Sequence, residues 1–187
     1  MPNSSPPYRD IKINWFTLSF PAYLENEFQE HFFQNSLRQL RITFLLGICF
    51  YSVFGVLDAW IVPEAKHRLW IIRYAVFVPY ALGIYLFSYS SHFKKYMQVS
   101  ISFGVLLAGL GITAMILIAP YPASHSYYAG LLLVFIYGYT FLKLRFWWAT
   151  MTGWLIVISY EIAAIWLSPT PLTILVNNNF FFLSANI

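Results

Sequence analysis

The feature that most constrains this chain is a succession of long apolar runs that are almost free of charge. Residues 99–119 contain no charged side chain at all. A helix rises 1.5 Å per residue, so roughly 20 apolar residues cross the ~30 Å hydrocarbon core of a bilayer. This run therefore predicts a membrane-spanning helix rather than the buried helix of a soluble domain.

Five further runs repeat the pattern, at residues 42–62, 70–87, 127–142, 148–167 and 172–187. The last run stops after about 16 residues, which is short of a crossing. Charged residues make up only 10% of the chain, against roughly 25% in soluble domains. The sequence therefore predicts an all-α, polytopic membrane bundle of about six transmembrane helices, the sixth of which is cut short.

The distribution of Lys and Arg predicts the orientation. They lie in the gaps between apolar runs and not along one face, which argues against a nucleic-acid partner despite the net charge of +4. If the N-terminus is cytoplasmic, three basic residues are outside (Lys66, Arg68 and Arg73) and the other eight are inside: Arg9, Lys12, Arg38, Arg41, Lys94, Lys95, Lys143 and Arg145. Cytoplasmic loops carry the excess of basic residues, so this orientation is favoured.

The segment before the first run divides into two parts. Residues 1–20 predict a disordered or irregular cytoplasmic tail, with no signal-peptide core. Residues 21–40 predict an amphipathic cytoplasmic helix that leads into the membrane, because Leu24, Phe28 and Phe32 recur at a spacing of four. This stripe fits contact with the membrane surface and contact with the bundle equally well.

Polar side chains within the apolar runs are the main candidates for a site. An Asp at a helix centre costs about 2.5–3.5 kcal/mol on the insertion scale. Three charged residues lie about 5–9 Å from the predicted outer helix ends, and three Asn residues open the sixth run at similar depth. The six are Asp58, Arg73, Glu161, Asn177, Asn178 and Asn179. They predict one polar layer, in which Arg73 pairs with Asp58 or Glu161.

Three roles fit such a layer. It could be a salt-bridged pin that fixes helix register, a ligand or ion pocket that opens outward, or a proton relay. The relay is the least favoured, because no carboxylate lies deep enough to pass a proton across the bilayer.

Several single features add detail to the bundle. Pro79 lies mid-helix and predicts a kink. Trp60 and Trp70 flank the first outer loop, where indoles prefer the membrane interface. Small residues form a stripe that predicts close helix packing, at Ser100, Gly104, Ala108 and Gly111.

Signatures of soluble chemistry are missing from the sequence. The four His residues are dispersed and Cys49 is the only cysteine, so we predict no metal site. There is also no phosphate loop, nucleophile motif or catalytic carboxylate pair. We predict no cofactor and no catalytic residue in this chain.

Several short sequence motifs, taken in their order along the chain, resemble those of a known family of membrane domains. They are Leu40-Arg41-Ile42 through Leu45-Leu46-Gly47, then Tyr51, Phe54-Gly55, Leu57-Asp58, Tyr127-Tyr128-Ala129-Gly130-Leu131, Tyr137-Gly138-Tyr139-Thr140-Phe141, Leu144-Arg145-Phe146, Gly153-Trp154 and Asn177-Asn178-Asn179-Phe180-Phe181-Phe182-Leu183. Together they resemble the six-helix membrane input domain found in front of bacterial class III adenylate/guanylate cyclase domains, often of the cyanobacterial type. The similarity covers residues 28–187.

The resemblance implies a membrane sensor or anchor module in the bacterial inner membrane. It also implies a homodimer formed through the membrane helices, and a cytoplasmic cyclase domain that would follow Ile187. The alternatives are the sensor module of a diguanylate cyclase, an inert anchor, and a small permease or channel. A permease fits less well, since the carboxylates lie near one side and no polar stripe crosses the bilayer.

Overall fold

Six helices make up most of the part of the chain that the computed structural model describes, residues 22–168 and 170–186. They are α1 (Ala22–Ile61), α2 (Lys66–Phe87), α3 (Phe93–Ile118), α4 (Tyr128–Thr140), α5 (Phe146–Leu167) and α6 (Leu172–Asn186), with a short 3₁₀ turn (Ala123–Tyr127) before α4. No strand occurs in these residues, so the predicted all-α class is confirmed for them. The predicted tail, 1–20, lies outside the described residues.

Four segments of the described helices are long and apolar enough to cross a membrane: Glu30–Ile61, Lys66–Phe87, Phe93–Ile118 and Phe146–Leu167. The predicted fourth and sixth spans are helices too, but α4 has 13 residues and α6 has 15. These lengths correspond to only about 20–22 Å. The helices are those of a membrane protein, whereas six full spans and a cytoplasmic N-terminus stay predictions.

α1 contains both of the first two predicted segments. The amphipathic helix, 21–40, and the first span, 42–62, were predicted separately but fall almost entirely within this one helix. The chain divides into two compact units, Met1–Gln39 and Leu40–Ile187. In the first unit, Phe28 is 43% exposed and its ring stacks on that of Phe32 at 5.9 Å between centroids. Contact of this Phe stripe with the membrane surface or with the bundle stays a prediction.

α3 forms the centre of the second unit and packs on α2, α4 and α5. Its most extensive contact is with α5, where Gly109 lies against Ile156, which is 0% exposed. A methyl group at Gly109 would lie only 2.6 Å from two carbons of Ile156. Gly109 does not belong to the predicted small-residue stripe. The stripe glycines Gly104 and Gly111 instead face side chains of α1 and α2.

The helices of the second unit expose many large apolar side chains, while two charged residues within the apolar runs lie inside. On α5, Met151, Leu155 and Ile158 are exposed. By contrast, Asp58 and Arg73 are buried within the unit. This arrangement suits a lipid environment, in which exposed apolar side chains carry no hydrophobic cost.

The backbone of α2 departs from α geometry next to Pro79. Ile71–Phe77 is π-helical, and the Val78 N–H donates to the Arg73 carbonyl, five residues back. Regular α-helix resumes at Val78, so Pro79 lies in the first turn after the π-helical segment, and its missing N–H leaves the carbonyls of that segment with one donor fewer. The predicted disturbance therefore lies in the turn before the proline, and it includes Arg73.

Candidate ligand-binding site

Backbone carbonyls of α1 accept hydrogen bonds from side chains of α2 and α4. Tyr137 Oη donates to the Thr43 carbonyl. Tyr74 Oη donates to the Ser52 carbonyl at 2.7 Å, and Trp70 Nε1 to the Gly55 carbonyl at 2.8 Å. A helical carbonyl can accept a second bond because it has two lone pairs. Long aromatic side chains thus hold α1 at a distance from its neighbours.

Glycines make room for these tyrosines. A Cβ at Gly47 would lie 3.1 Å from the Tyr137 hydroxyl, and a Cβ at Gly55 would collide with that of Tyr74. Gly111 of α3 has the same relation to Tyr51 of α1, at 3.0 Å. At these positions the missing side chain leaves space for a tyrosine of another helix. The stripe predicts instead that the space is filled by the backbone of a closely packed helix.

The spacing between α1 and α2–α4 leaves a cavity of ≈ 530 Å³. Ligand pockets in proteins measure about 300–1,000 Å³. Its walls are almost entirely apolar and include Phe44, Phe54, Ile84, Gly104, Val105, Ala129 and Leu133. The lining of α1 extends from Phe44 to Ile61, about 25 Å along the helix, so the cavity is long as well as apolar.

A buried ion pair lies at one end of this cavity. Arg73 Nε donates to Asp58 Oδ2 at 2.5 Å, and Arg73 Nη2 to Asp58 Oδ1 at 3.0 Å. The two residues are 4% and 2% exposed. Such bidentate geometry is the strongest form of an Arg–carboxylate interaction. The sequence left two partners open for Arg73, and the structure pairs it with Asp58.

Neighbouring groups complete the environment of the pair. Tyr127 Oη donates to Asp58 Oδ1 at 2.9 Å, and Arg73 Nη1 donates to the Tyr51 carbonyl at 3.3 Å. The guanidinium also lies over the Tyr51 ring, 4.9 Å from its centroid. Asp58 therefore accepts hydrogen bonds from both a guanidinium and a phenol.

The ion pair has no net charge, but some N–H groups of Arg73 form no hydrogen bond within it. Arginine has five N–H groups, and three of those on Arg73 are used in the bonds described above. The other two, one on Nη1 and one on Nη2, have no partner among the described residues. The polar end of the cavity therefore offers N–H donors without a net charge.

The far end of the cavity lies near a second cationic contact. Arg41 of α1 donates from Nε to Ser88 Oγ at 3.1 Å and from Nη2 to the Ser88 carbonyl at 2.6 Å. Its guanidinium also lies 3.8 Å above the Tyr89 ring. α1 is thus joined to α2, or to the residues just after it, by an arginine at both ends of the cavity.

The other predicted site residues form a separate group on α5 and α6. Asn178 is buried and donates from Nδ2 to Tyr160 Oη at 2.7 Å. Asn177 Nδ2 donates to Asn178 Oδ1 at 3.4 Å. Glu161 is half-buried, and its Oε1 atom has no hydrogen-bond partner among the described residues. Asn179 is half-buried as well.

Hydrogen bonds connect residues of the predicted layer in two separate groups. Within the described residues, no hydrogen bond or ion pair joins Asp58 or Arg73 to Glu161 or to the three Asn residues. The bonds of Arg73 to Asp58 and Tyr51 direct its guanidinium toward α1. Only the Asp58–Arg73 group lines the cavity.

No protein-family model matches this chain, and no curated protein matches it. The similarity to cyclase input domains therefore rests on the sequence motifs alone and stays a prediction. The candidate site is defined by its own geometry, which is an apolar cavity with a neutral, donor-rich end.

Sequence reasoning missed several residues of the site. Tyr127 and Tyr137 occur in motifs that carry the resemblance, but nothing in their spacing marks them as partners of α1. Trp70 was assigned to the membrane interface, whereas its N–H is bonded to the Gly55 carbonyl. The available signal was an excess of Tyr and Trp near glycines, which does not say which pairs meet.

Removing the Tyr127 hydroxyl tests the environment of the ion pair. We expect Tyr127→Phe to lower the free energy of unfolding by about 1–2 kcal/mol, because a hydrogen bond to a charged group is lost in a partly buried place. Tyr128→Phe is the matched control, since that hydroxyl has no hydrogen-bond partner among the described residues. Denaturant titration of both variants in mild detergent measures the difference, and equal stability would contradict the assignment.

Proposed function

We propose that this chain is the membrane input module of an adenylate or guanylate cyclase-like signalling protein. In this proposal it lies in the bacterial inner membrane with its N-terminus in the cytoplasm, and it forms a homodimer through its membrane helices. The observation that supports a sensing role is the Asp58–Arg73 pair at the end of an apolar cavity of ≈ 530 Å³. A chain that only anchored a catalytic partner would need neither the cavity nor the buried charges.

Sensing requires two arrangements that bind a ligand with different affinity. α1 is suited to this, because side chains that reach its carbonyls hold it to α2 and α4 with the cavity between them. A molecule that occupies the cavity would favour one position of α1 over another. The resemblance suggests that α6 passes this change to the catalytic domain.

A fusion protein tests the proposal. Residues 1–187 are joined through a connector to a class III cyclase domain, and cyclic nucleotide is measured in membranes at equal amounts of folded protein. We expect Asp58→Asn to change the output at least fivefold, because couplings between sites are typically about 5–150-fold. Glu64→Gln is the matched control, since Glu64 is an exposed carboxylate close in sequence.

Each alternative has its own outcome in this system. Equal output from the wild type and Asp58→Asn would contradict sensing and favour an inert anchor. Solute flux into vesicles that contain the chain alone would favour a permease or channel. A response seen only when the partner is a diguanylate cyclase domain would favour that class of signalling protein.

A further inference from the structure

We infer that the cavity between α1 and α2–α4 binds an uncharged, single-chain amphiphile whose polar head accepts hydrogen bonds from Arg73. This inference rests on the proposed function, since it names the ligand class of the cavity that we propose to be the sensing site. It follows from the lining of the cavity, the place where it opens, and the charge at its polar end.

The mostly apolar lining of the cavity favours a ligand with a hydrocarbon chain. The charged atoms of the cavity are those of Asp58 and Arg73, next to Tyr127. Further along, the hydroxyls of Tyr80 and Tyr137 each donate to a backbone carbonyl, and most of the remaining wall is Phe, Ile, Val, Leu, Ala and Gly. A water molecule needs two to four polar partners to occupy such a place, so a hydrocarbon chain is the better occupant.

The position of the opening indicates a ligand that arrives through the lipid. Large apolar wall residues that are exposed at the protein surface include Phe50 and Leu57 of α1 and Leu133 and Ile136 of α4. Because they come from two facing helices, the cavity opens sideways between α1 and α4. Molecules dissolved in the hydrocarbon layer reach this opening directly, whereas polar solutes do not.

The charge balance selects the head group. Asp58 already neutralises Arg73, so a buried carboxylate on the ligand would leave a net negative charge, and an ammonium group would leave a net positive one. Burying an unpaired charge is costly. A hydroxyl or carbonyl oxygen instead accepts from the two remaining N–H groups of Arg73 without adding charge.

Photolabelling of the full chain in phosphatidylcholine vesicles tests the inference. The probe is hexadecanol with a diazirine near the end of its chain, compared with the matching hexadecanoic acid and hexadecylamine. With the head at Arg73, we expect the alcohol to label the opposite end of the cavity, at Phe44 and Leu142. We expect saturable labelling, at least tenfold stronger than with either charged probe and abolished by excess hexadecanol.

Filling the cavity provides the matched comparison. Ala129→Trp places a large ring in the wall and should remove the labelling, whereas Ile158→Trp, on the exposed face of α5, should leave it unchanged. If Ala129→Trp fails to fold, Leu133→Trp at the opening serves instead. Labelling spread evenly over exposed residues, or equal labelling by the acid and the alcohol, would overturn the inference.

Binding and signalling can fail independently in this design. If the alcohol labels the cavity but Asp58→Asn leaves the output of the fusion protein unchanged, the proposed function fails and the ligand class stands. If the output changes and no alcohol labels the cavity, the ligand class fails and the proposed function stands.

Discussion

Replacing Arg73 with Met is expected to lower the free energy of unfolding by about 3–5 kcal/mol. The loss is large because Asp58 would remain buried with only the Tyr127 hydroxyl as a partner, and breaking a buried ion pair leaves an uncompensated charge. Arg73 is 4% exposed, so the remaining carboxylate has little access to water. Titration with denaturing detergent, followed by tryptophan fluorescence, measures the change.

Removing both charges separates the pair from general packing. We expect the double variant Asp58→Leu/Arg73→Met to recover most of the lost stability, since apolar replacement of a buried pair is often neutral. Arg68→Met is the control, because Arg68 is an exposed arginine of the same helix. A loss below about 1 kcal/mol in Arg73→Met, or no recovery in the double variant, would show that the ion pair does not hold α1 to α2.

The second large effect is expected at Gly109. Gly109→Ala should destabilise the protein by about 1–3 kcal/mol, because overpacking a dense interface forces side chains and backbone apart. The added methyl group would lie 2.6 Å from two carbons of Ile156, in the contact between α3 and α5. Gly109→Leu should prevent assembly altogether, which size-exclusion chromatography in mild detergent would reveal.

Gly83 provides the matched control for this prediction. It is an exposed glycine of α2 with nothing within 4 Å of an added Cβ. Gly83→Ala should therefore be neutral or stabilise the protein by up to about 1 kcal/mol, through helix propensity. Shortening Ile156 to Ala in the Gly109→Ala background should relieve part of the strain. If Gly109→Ala and Gly83→Ala behave alike, α3 and α5 do not meet as described.

The polar residues show which contacts of the site could be predicted from the sequence and which could not. Charges in apolar runs marked Asp58 and Arg73 as a pair of interest, and they form the ion pair of the cavity. The same reasoning joined Glu161 to them by depth alone. Depth along a helix follows from residue number, but the direction in which a side chain points also depends on helix rotation. The structure accordingly places Glu161 beside the separate Tyr160–Asn178 group.

The cavity shows what sequence patterns do not report. Its existence depends on Tyr74, Trp70 and Tyr137 reaching the carbonyls of α1 across a gap. An aromatic residue that spans a gap and one that faces lipid have the same hydropathy. Neither composition nor period could therefore predict that α1 would be held away from the bundle.

By itself, the sequence determined that this protein is helical and that its outer surface suits lipid, because runs of some 20 residues with at most one charge each leave few other options. It also determined which side chains would be costly to bury. The tertiary structure alone decided that Asp58 pairs with Arg73, that glycines admit tyrosines, and that a cavity separates α1 from α2–α4. These features depend on how each helix is rotated and shifted against its neighbours, and local sequence leaves both free.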